Sequence, residues 1–248
     1  MPNAFITGTS SGLGHGLAES LIKRGWHVFG CSRRHSDLPG MTHRSIDLTN
    51  YATLPDKLQA LLGKVAELEL VVLNAGILGE IRDLNSVPME DAKKVMEINV
   101  WANKAIMDWL HESGIRVGQI IMMSSGASIL GNRGWGSYAL SKATLNMMAK
   151  LYAHEFPNTH ICALAPGIID TSMMDYLCEE ADAAAFPALN RLRDARGTEV
   201  MPDPSTAADK IIAVLSQLQE RPSGSFVDIR EILEPELFNK LYGASRKA

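Results

Sequence analysis

Tyr138 and Lys142 stand four residues apart in Tyr138-Ala-Leu-Ser-Lys142. The helical pattern around them continues to about Phe156, so both side chains face the same way. A phenol with an ordinary pKa of about 10 is a poor acid or base at neutral pH, and an ammonium beside it would stabilise the phenolate. The pair alone says little, because such spacings arise by chance on many helices. Upstream of it comes Ser125, at the end of the apolar run Ile120 to Ser124, where its hydroxyl could polarise a carbonyl. Ser124 is adjacent, but strand alternation turns one of the two away from any cleft, and Ser125 is the one assigned. Together the three residue types suit proton transfer to or from an oxygen whose charge is changing.

A second constellation is Thr7-Gly8-Thr9-Ser10-Ser11-Gly12-Leu13-Gly14, directly after a strand-like segment and before the helical pattern Leu17, Leu21, Ile22. Glycines permit a tight turn and close backbone approach, and the helix start behind them offers unpaired N–H groups to a pyrophosphate. The spacing is GxxxGxG rather than GxGxxG. No Gly-Lys-Ser/Thr follows, which excludes a Walker-type phosphate loop.

These residues need a scaffold. Short apolar runs at Ala4–Thr7, Val28–Cys31, Arg44–Asp47, Leu70–Asn74, Ile120–Ser124, Ile161–Ala165 and Phe226–Ile229 alternate with helical segments. This is the βαβ pattern of a parallel sheet covered on both faces, and right-handed crossovers make it doubly wound. The expected fold is a single α/β domain, Rossmann-like, with a seven-stranded parallel sheet. It divides into a cofactor half over about residues 1–120 and a catalytic half over about 121–248. The long irregular stretch from Pro166 to about Pro204 reads as a mobile lid over residues 168–204, with Met173 to Ala185 forming a short helix or two.

Bulk properties narrow the function. With 46% hydrophobic and 21% charged residues and a net charge of -4, the chain has no basic field for nucleic acid. It has no apolar run near the roughly 18 residues of a membrane span and no secretion signal, so a cytoplasmic location is expected. The three cysteines, Cys31, Cys162 and Cys178, have neither disulfide nor zinc spacing and read as buried reduced thiols. The histidines form no HExxH pair, so no metal is expected.

Thr7-Gly8-x-x-x-Gly12-x-Gly14, Asn74-Ala75-Gly76, Asn99, Ser125, Tyr138-x-x-x-Lys142 and Pro166-Gly167, in this order and at these intervals, resemble the short-chain dehydrogenase/reductase family. The resemblance covers roughly residues 3 to 171. It implies that Tyr138 is the general acid in carbonyl reduction, that Lys142 holds the nicotinamide ribose and tunes Tyr138, and that Ser125 binds the carbonyl oxygen. Asn99 would support a water linking Lys142 to solvent. Gly8, Ser10, Ser11, Gly12, Leu13 and Gly14 would cradle the pyrophosphate. Asp47 and Leu48 would meet the adenine, and Asn74, Ala75 and Gly76 would close the strand beneath the cofactor. Pro166, Gly167, Ile169 and Thr171 would engage the carboxamide side of the nicotinamide.

Cofactor choice follows from the end of the second strand, Ser32-Arg33-Arg34. An acidic residue there would accept from the ribose hydroxyls of NAD and repel a 2′-phosphate. Ser32 stands in its place and Arg33 follows, where a guanidinium could pair with the phosphate. Ser11 is not basic, so a second family determinant is missing. NADP(H) is favoured and NAD(H) stays allowed.

The chain departs from the family's usual Asp-Gly-Gly ending with Gly224-Ser-Phe-Val-Asp228. This resembles the sepiapterin reductase and benzil reductase branch, in which the matching aspartate can anchor a substrate. Asp228, Met173 and Tyr176 are therefore substrate candidates, although a strand-end aspartate can equally fix the C-terminal loop. The lid is uneven, apolar at Met173, Met174, Tyr176, Leu177 and Phe186 and charged at Arg191, Arg193, Asp194 and Arg196, and it suits an aromatic or aliphatic ketone better than a sugar. The expected activity is NADPH-dependent reduction of a small ketone or diketone. Rivals are a 3-oxoacyl thioester reductase, a secondary-alcohol dehydrogenase, and a cofactor-binding scaffold or sensor without chemistry. The resemblance also implies a homodimer or homotetramer joined through the helices containing Asn103 to Leu110 and Leu145 to Tyr152.

Overall fold

Alternate residues of the central strands enter two different hydrophobic cores. Ala4, Ile6, Leu70, Val72, Ile121, Met123, Cys162 and Leu164 point to one face of the sheet, while Phe5, Val71, Leu73, Ile120, Met122, Ile161 and Ala163 point to the other. That double burial is why the strands read as unbroken apolar runs. The computed structural model describes residues 1–242. Its strands are β1 (Asn3–Thr7), β2 (His27–Ser32), β3 (Met41–Ser45), β4 (Glu67–Leu73), β5 (Arg116–Met123), β6 (His160–Ala165) and β7 (Ser225–Asp228). They form one seven-stranded sheet in the order β3-β2-β1-β4-β5-β6-β7, with every neighbouring pair parallel.

Helices α1 (Gly12–Lys23) and α9 (Pro204–Gln219) cover the first face through Leu13, Leu17, Leu21, Ile211, Val214 and Leu218. The second face is covered by α2 (Leu54–Leu62), α4 (Ala102–Ser113) and α6 (Gly136–Glu155), through residues such as Leu58, Ile106 and Leu145. Between α3 (Met89–Met96) and α4 lies a π-helical turn, Glu97–Trp101, which holds Asn99 fully buried. Such turns widen a helix locally and are common at functional sites. The short elements α5 (Ala127–Leu130), α7 (Ser172–Asp175), α8 (Asn190–Ala195), α10 (Ile229–Leu233) and α11 (Pro235–Tyr242) surround the carboxyl ends of the strands.

The sequence places the third strand at Arg44–Asp47, whereas the observed strand is Met41–Ser45. It is a polar edge strand, and its apolar signal came from Ile46, which is buried just past its end. The expected short helices in the lid are present as α7 and a π-helical turn at Tyr176–Glu180. Rather than a bare loop, the lid carries its own cluster of Leu177, Phe186, Leu189, Leu192 and Met201. It ends where the Asp203 carboxylate accepts from the Ser205 and Thr206 amides and starts α9.

Cys31 and Cys162 are buried, and burial pushes both thiols up to about 12, which makes them inert. Cys178 is only partly buried, unlike the sequence expectation. Among the described residues no helix is long and apolar enough to cross a membrane.

Candidate active site

The strand order reverses between β1 and β4, and open α/β sheets collect ligands outside their carboxyl ends at this point. A cleft of about 1260 Å³ opens here, lined at one end by the glycine turn and at the other by Ser125, Tyr138 and Lys142. Thr7 ties the two central strands together. Its Oγ1 accepts from the Asn74 and Ala75 amides at 2.9 and 3.0 Å, and its carbonyl accepts from Asn74 Nδ2 at 3.0 Å. Gly8, with φ +78°, turns the chain away from β1.

Ser10, Ser11, Gly12 and Leu13 line the cleft, while Gly14 lies behind it. A Cβ on Gly14 would come 2.3 Å from the Gly8 carbonyl oxygen and 2.6 Å from Asn74 Nδ2, so its task is close packing of turn and helix. Gly12 faces Thr171 across the cleft, with 3.5 Å between the position of an added Cβ and the threonine methyl. The open strip at Gly12 fits the backbone of a dinucleotide running across the helix start.

At the end of β2 the Ser32 hydroxyl donates to the Arg34 carbonyl at 2.7 Å and lies 2.9 Å from His43 Nε2. Arg34 Nη2 donates to Ser11 Oγ at 3.2 Å, joining the second strand to the glycine turn. Arg33 is exposed and lines the cleft. Asp47 accepts from the amide and hydroxyl of Thr49 at 3.0 and 2.8 Å, and these bonds lower its carboxyl below the usual range. Leu48, Ala75 and Gly76 also line this half.

At the other end both serines border the cleft just past β5, but their hydroxyls differ in surroundings. Ser124 is buried and its Oγ donates to Asn146 Oδ1 at 2.6 Å. Ser125 lines the cleft with Tyr138 and accepts from the Ala127 amide at 3.2 Å. Tyr138 and Lys142 share one face of α6, with Lys142 Nζ 5.5 Å from the centre of the tyrosine ring. Lys142 is 4% exposed and donates to the Met123 carbonyl at 2.7 Å. Burial lowers it from 10.5 to about 8. Burial also raises the Tyr138 phenol, against an opposing pull from Ser125. The expected lowering by Lys142 is thus not seen in the chain alone, because the ammonium turns to a strand carbonyl and is itself poorly solvated.

Asn99 does not line the cleft. Its Oδ1 accepts from the Ile77 amide and its Nδ2 donates to the Ile77 carbonyl, each at 2.8 Å, and Nδ2 also donates to Ser141 Oγ at 2.9 Å. The side chain therefore pins the loop after β4 to α6, one residue from Lys142. Its own carbonyl accepts from Asn103 Nδ2 at 2.8 Å.

Pro166, Gly167, Ile169 and Thr171 line the cleft beyond β6, and Met173 follows from the lid. Two candidates require correction. Tyr176 turns away, because its hydroxyl accepts from the Ile81 amide at 3.0 Å and its ring joins the lid cluster. Asp228 is wholly buried and does not reach the cleft. Its Oδ1 accepts from Arg230 Nε at 2.7 Å, and its Oδ2 accepts from Arg230 Nη2 at 2.5 Å and the Tyr242 hydroxyl at 2.6 Å. The carboxylate is spent on the C-terminal segment, and Arg230 lines the cleft instead. Trp135, Met174, Leu177, Arg191 and Leu192 also line it. None of these belongs to a motif; the apolar character of the lid pointed toward Met174, Leu177 and Leu192, and no signal in the sequence pointed toward Trp135.

Comparison with known proteins agrees with this geometry. Residues 2–182 match the family model described as short chain dehydrogenase. The benzil reductase ((S)-benzoin forming) IRC24 of Saccharomyces cerevisiae is 29% identical over 236 residues, covering 86% of this chain and 88% of that protein. The 3-oxoacyl-[acyl-carrier-protein] reductase FabG of Rickettsia felis is 33% identical over 189 residues, covering 71% and 76%. The crystal structure of the YIR035C short chain dehydrogenase/reductase of S. cerevisiae superposes with a TM-score of 0.81 at 22% identity, covering 92% of this chain and 96% of that one. A glycine turn and a serine–tyrosine–lysine group on one cleft, within a sequence matched over most of its length, make this chain an oxidoreductase of the short-chain dehydrogenase family.

Proposed function

We propose that the chain reduces a small ketone or diketone to an alcohol with NADPH. The observation that carries this reading is the convergence of Ser125, Tyr138 and Lys142 at the end of the cleft that starts at the glycine turn. A bound dinucleotide supplies the hydride. Ser125 donates to the substrate carbonyl oxygen, and Tyr138 gives that oxygen its proton as charge develops there. Lys142 holds the nicotinamide ribose, and at about 8 it exchanges protons near neutral pH. Asn99 keeps the loop beside Lys142 in place, and a water there would carry protons to solvent. Gly167, Ile169 and Thr171 orient the carboxamide. Arg33 and Arg34, with no carboxylate at Ser32, favour NADP(H) over NAD(H), which stays allowed.

Trp135, Met173, Met174 and Leu177 offer an apolar wall for an aromatic or aliphatic group. The segment 168–204 acts as the lid over a cofactor half at about 1–120 and a catalytic half from 121 onward. Leu140, Met147 and Leu151 are exposed along one stripe of α6, with Trp101 exposed at the start of α4. Such a stripe suits pairing of two copies into a homodimer or homotetramer.

The test is NADPH absorbance decay with benzil and a panel of ketones, followed by Tyr138→Phe. The variant should bind NADPH and lose about 10²- to 10⁴-fold in turnover. NADPH binding without turnover of any carbonyl compound would instead favour a scaffold or sensor. The likeness to FabG supports a second reading, reduction of a 3-oxoacyl thioester, and a thioester in the same panel separates the two.

A further inference from the structure

The substrate end of the cleft holds two arginines whose charges are unequally matched. Arg230 stands at the start of α10 and is gripped by Asp228 through Nε and Nη2. Asp228 also accepts from the Tyr242 hydroxyl and the Arg230 amide, so all of its acceptor capacity is used. This cluster abuts the loop that follows Ser125: a Cβ added at Gly126 would lie 2.7 Å from the Tyr242 hydroxyl and 3.5 Å from Arg230 Nη2.

Arg191 stands on the lid helix α8, exposed to solvent and lining the same cleft. Arg191 and Arg230 both line the cleft and also share a smaller adjoining pocket; burial and the Arg230 charge disfavour the protonated form of Arg191, against an opposing pull from Tyr242 and Asp228. The other lid arginines are matched: Arg193 donates to the Ala181 carbonyl at 2.7 Å, and Arg196 pairs with Asp170, Asp175 and Glu179. Arg191 has no hydrogen bond or ion pair among the described residues. The carboxylates that line the cleft, Asp47, Glu90 and Glu97, belong to its nucleotide half. One positive charge is left unpaired on the wall of the cleft that holds Ser125, Tyr138 and Lys142, and a guanidinium presents a planar pair of donors.

We propose that the natural substrate is an oxo acid whose carboxylate lies within a few atoms of the ketone, and that Arg191 is the specificity-determining residue that receives it, with Arg230 beside it. The proposal rests on the reductase reading given above. The ketone carbon takes the hydride and its oxygen the proton, giving a hydroxy acid, and the carboxylate is unchanged.

The experiment compares benzoylformate with 1-phenyl-1,2-propanedione, a close shape match that carries an acetyl group in place of the carboxylate. The wild-type kcat/KM should favour the acid. Arg191→Met should lower the acid-to-dione ratio about tenfold or more, mainly through KM for the acid, and Arg191→Lys should recover part of it. A wild-type preference for the dione, or an unchanged ratio in Arg191→Met, overturns this inference and leaves the reductase reading standing. If no carbonyl compound is reduced at all, the reductase reading fails and this inference falls with it.

Discussion

Lys142 is held 4% exposed, with Nζ bonded to the Met123 carbonyl, and burial lowers it from 10.5 to about 8. Below about pH 8 the folded and unfolded chains both carry this proton, and the folded chain bears the full cost of a poorly solvated ammonium. Between about pH 8 and 10.5 the folded chain has released the proton while the unfolded chain keeps it, so stability rises with pH. At about 1.4 kcal/mol per pH unit the rise is about 3 kcal/mol. Other groups titrate in the same range, so the quantity to measure is the wild-type unfolding free energy minus that of Lys142→Met. The assay is urea unfolding without cofactor at steps from about pH 7 to 10.5. The difference should grow by about 3 kcal/mol in favour of the wild type across that window. Near pH 7 the variant removes the desolvation cost but leaves the Met123 carbonyl without its donor, a loss of about 1–3 kcal/mol. It should therefore be as stable as the wild type or more so, although catalytically dead. A difference that stays flat across the window would refute the argument that this ammonium is poorly solvated.

Three further outcomes follow from the geometry. Gly14→Ala forces a Cβ against the Gly8 carbonyl and should cost about 1–3 kcal/mol with weaker NADPH binding; thermal melts and a fluorescence titration check both, and unchanged values would remove the packing role. Arg33→Asp should lower the NADPH-to-NADH ratio of kcat/KM at least about tenfold, and an unmoved ratio would eliminate Arg33 as the phosphate partner. Asp228→Asn leaves Arg230 without its buried counter-charge and should cost about 3–5 kcal/mol in urea unfolding; a loss below about 1 kcal/mol would mean that water, not the carboxylate, satisfies the guanidinium.

Sequence reading succeeded where a local pattern dictates the physics. The two-sided apolar strands, the glycine turn and the Tyr138–Lys142 spacing each state their geometry within a few residues. Ser125 is the more open of the two adjacent serines, while the Ser124 hydroxyl is buried against Asn146. Sequence reading failed where a side chain's partner is distant or lies around an unmarked turn. Asp228 looked available because nothing in the sequence shows that Arg230 folds back across the β7–α10 turn or that Tyr242 returns to meet it. Tyr176 looked available because its partner, the Ile81 amide, lies in another loop. Arg191 was legible only as one of four charged lid residues, because nothing in the sequence shows that Arg193 and Arg196 find partners and Arg191 does not.

Tyr242 reaches through Asp228 to the loop next to Ser125. A polypeptide emerging from the ribosome holds its phenol, lysine and glycine turn long before it holds this brace. Newly made chains stay unfinished at the corner beside Ser125 until synthesis has passed residue 242.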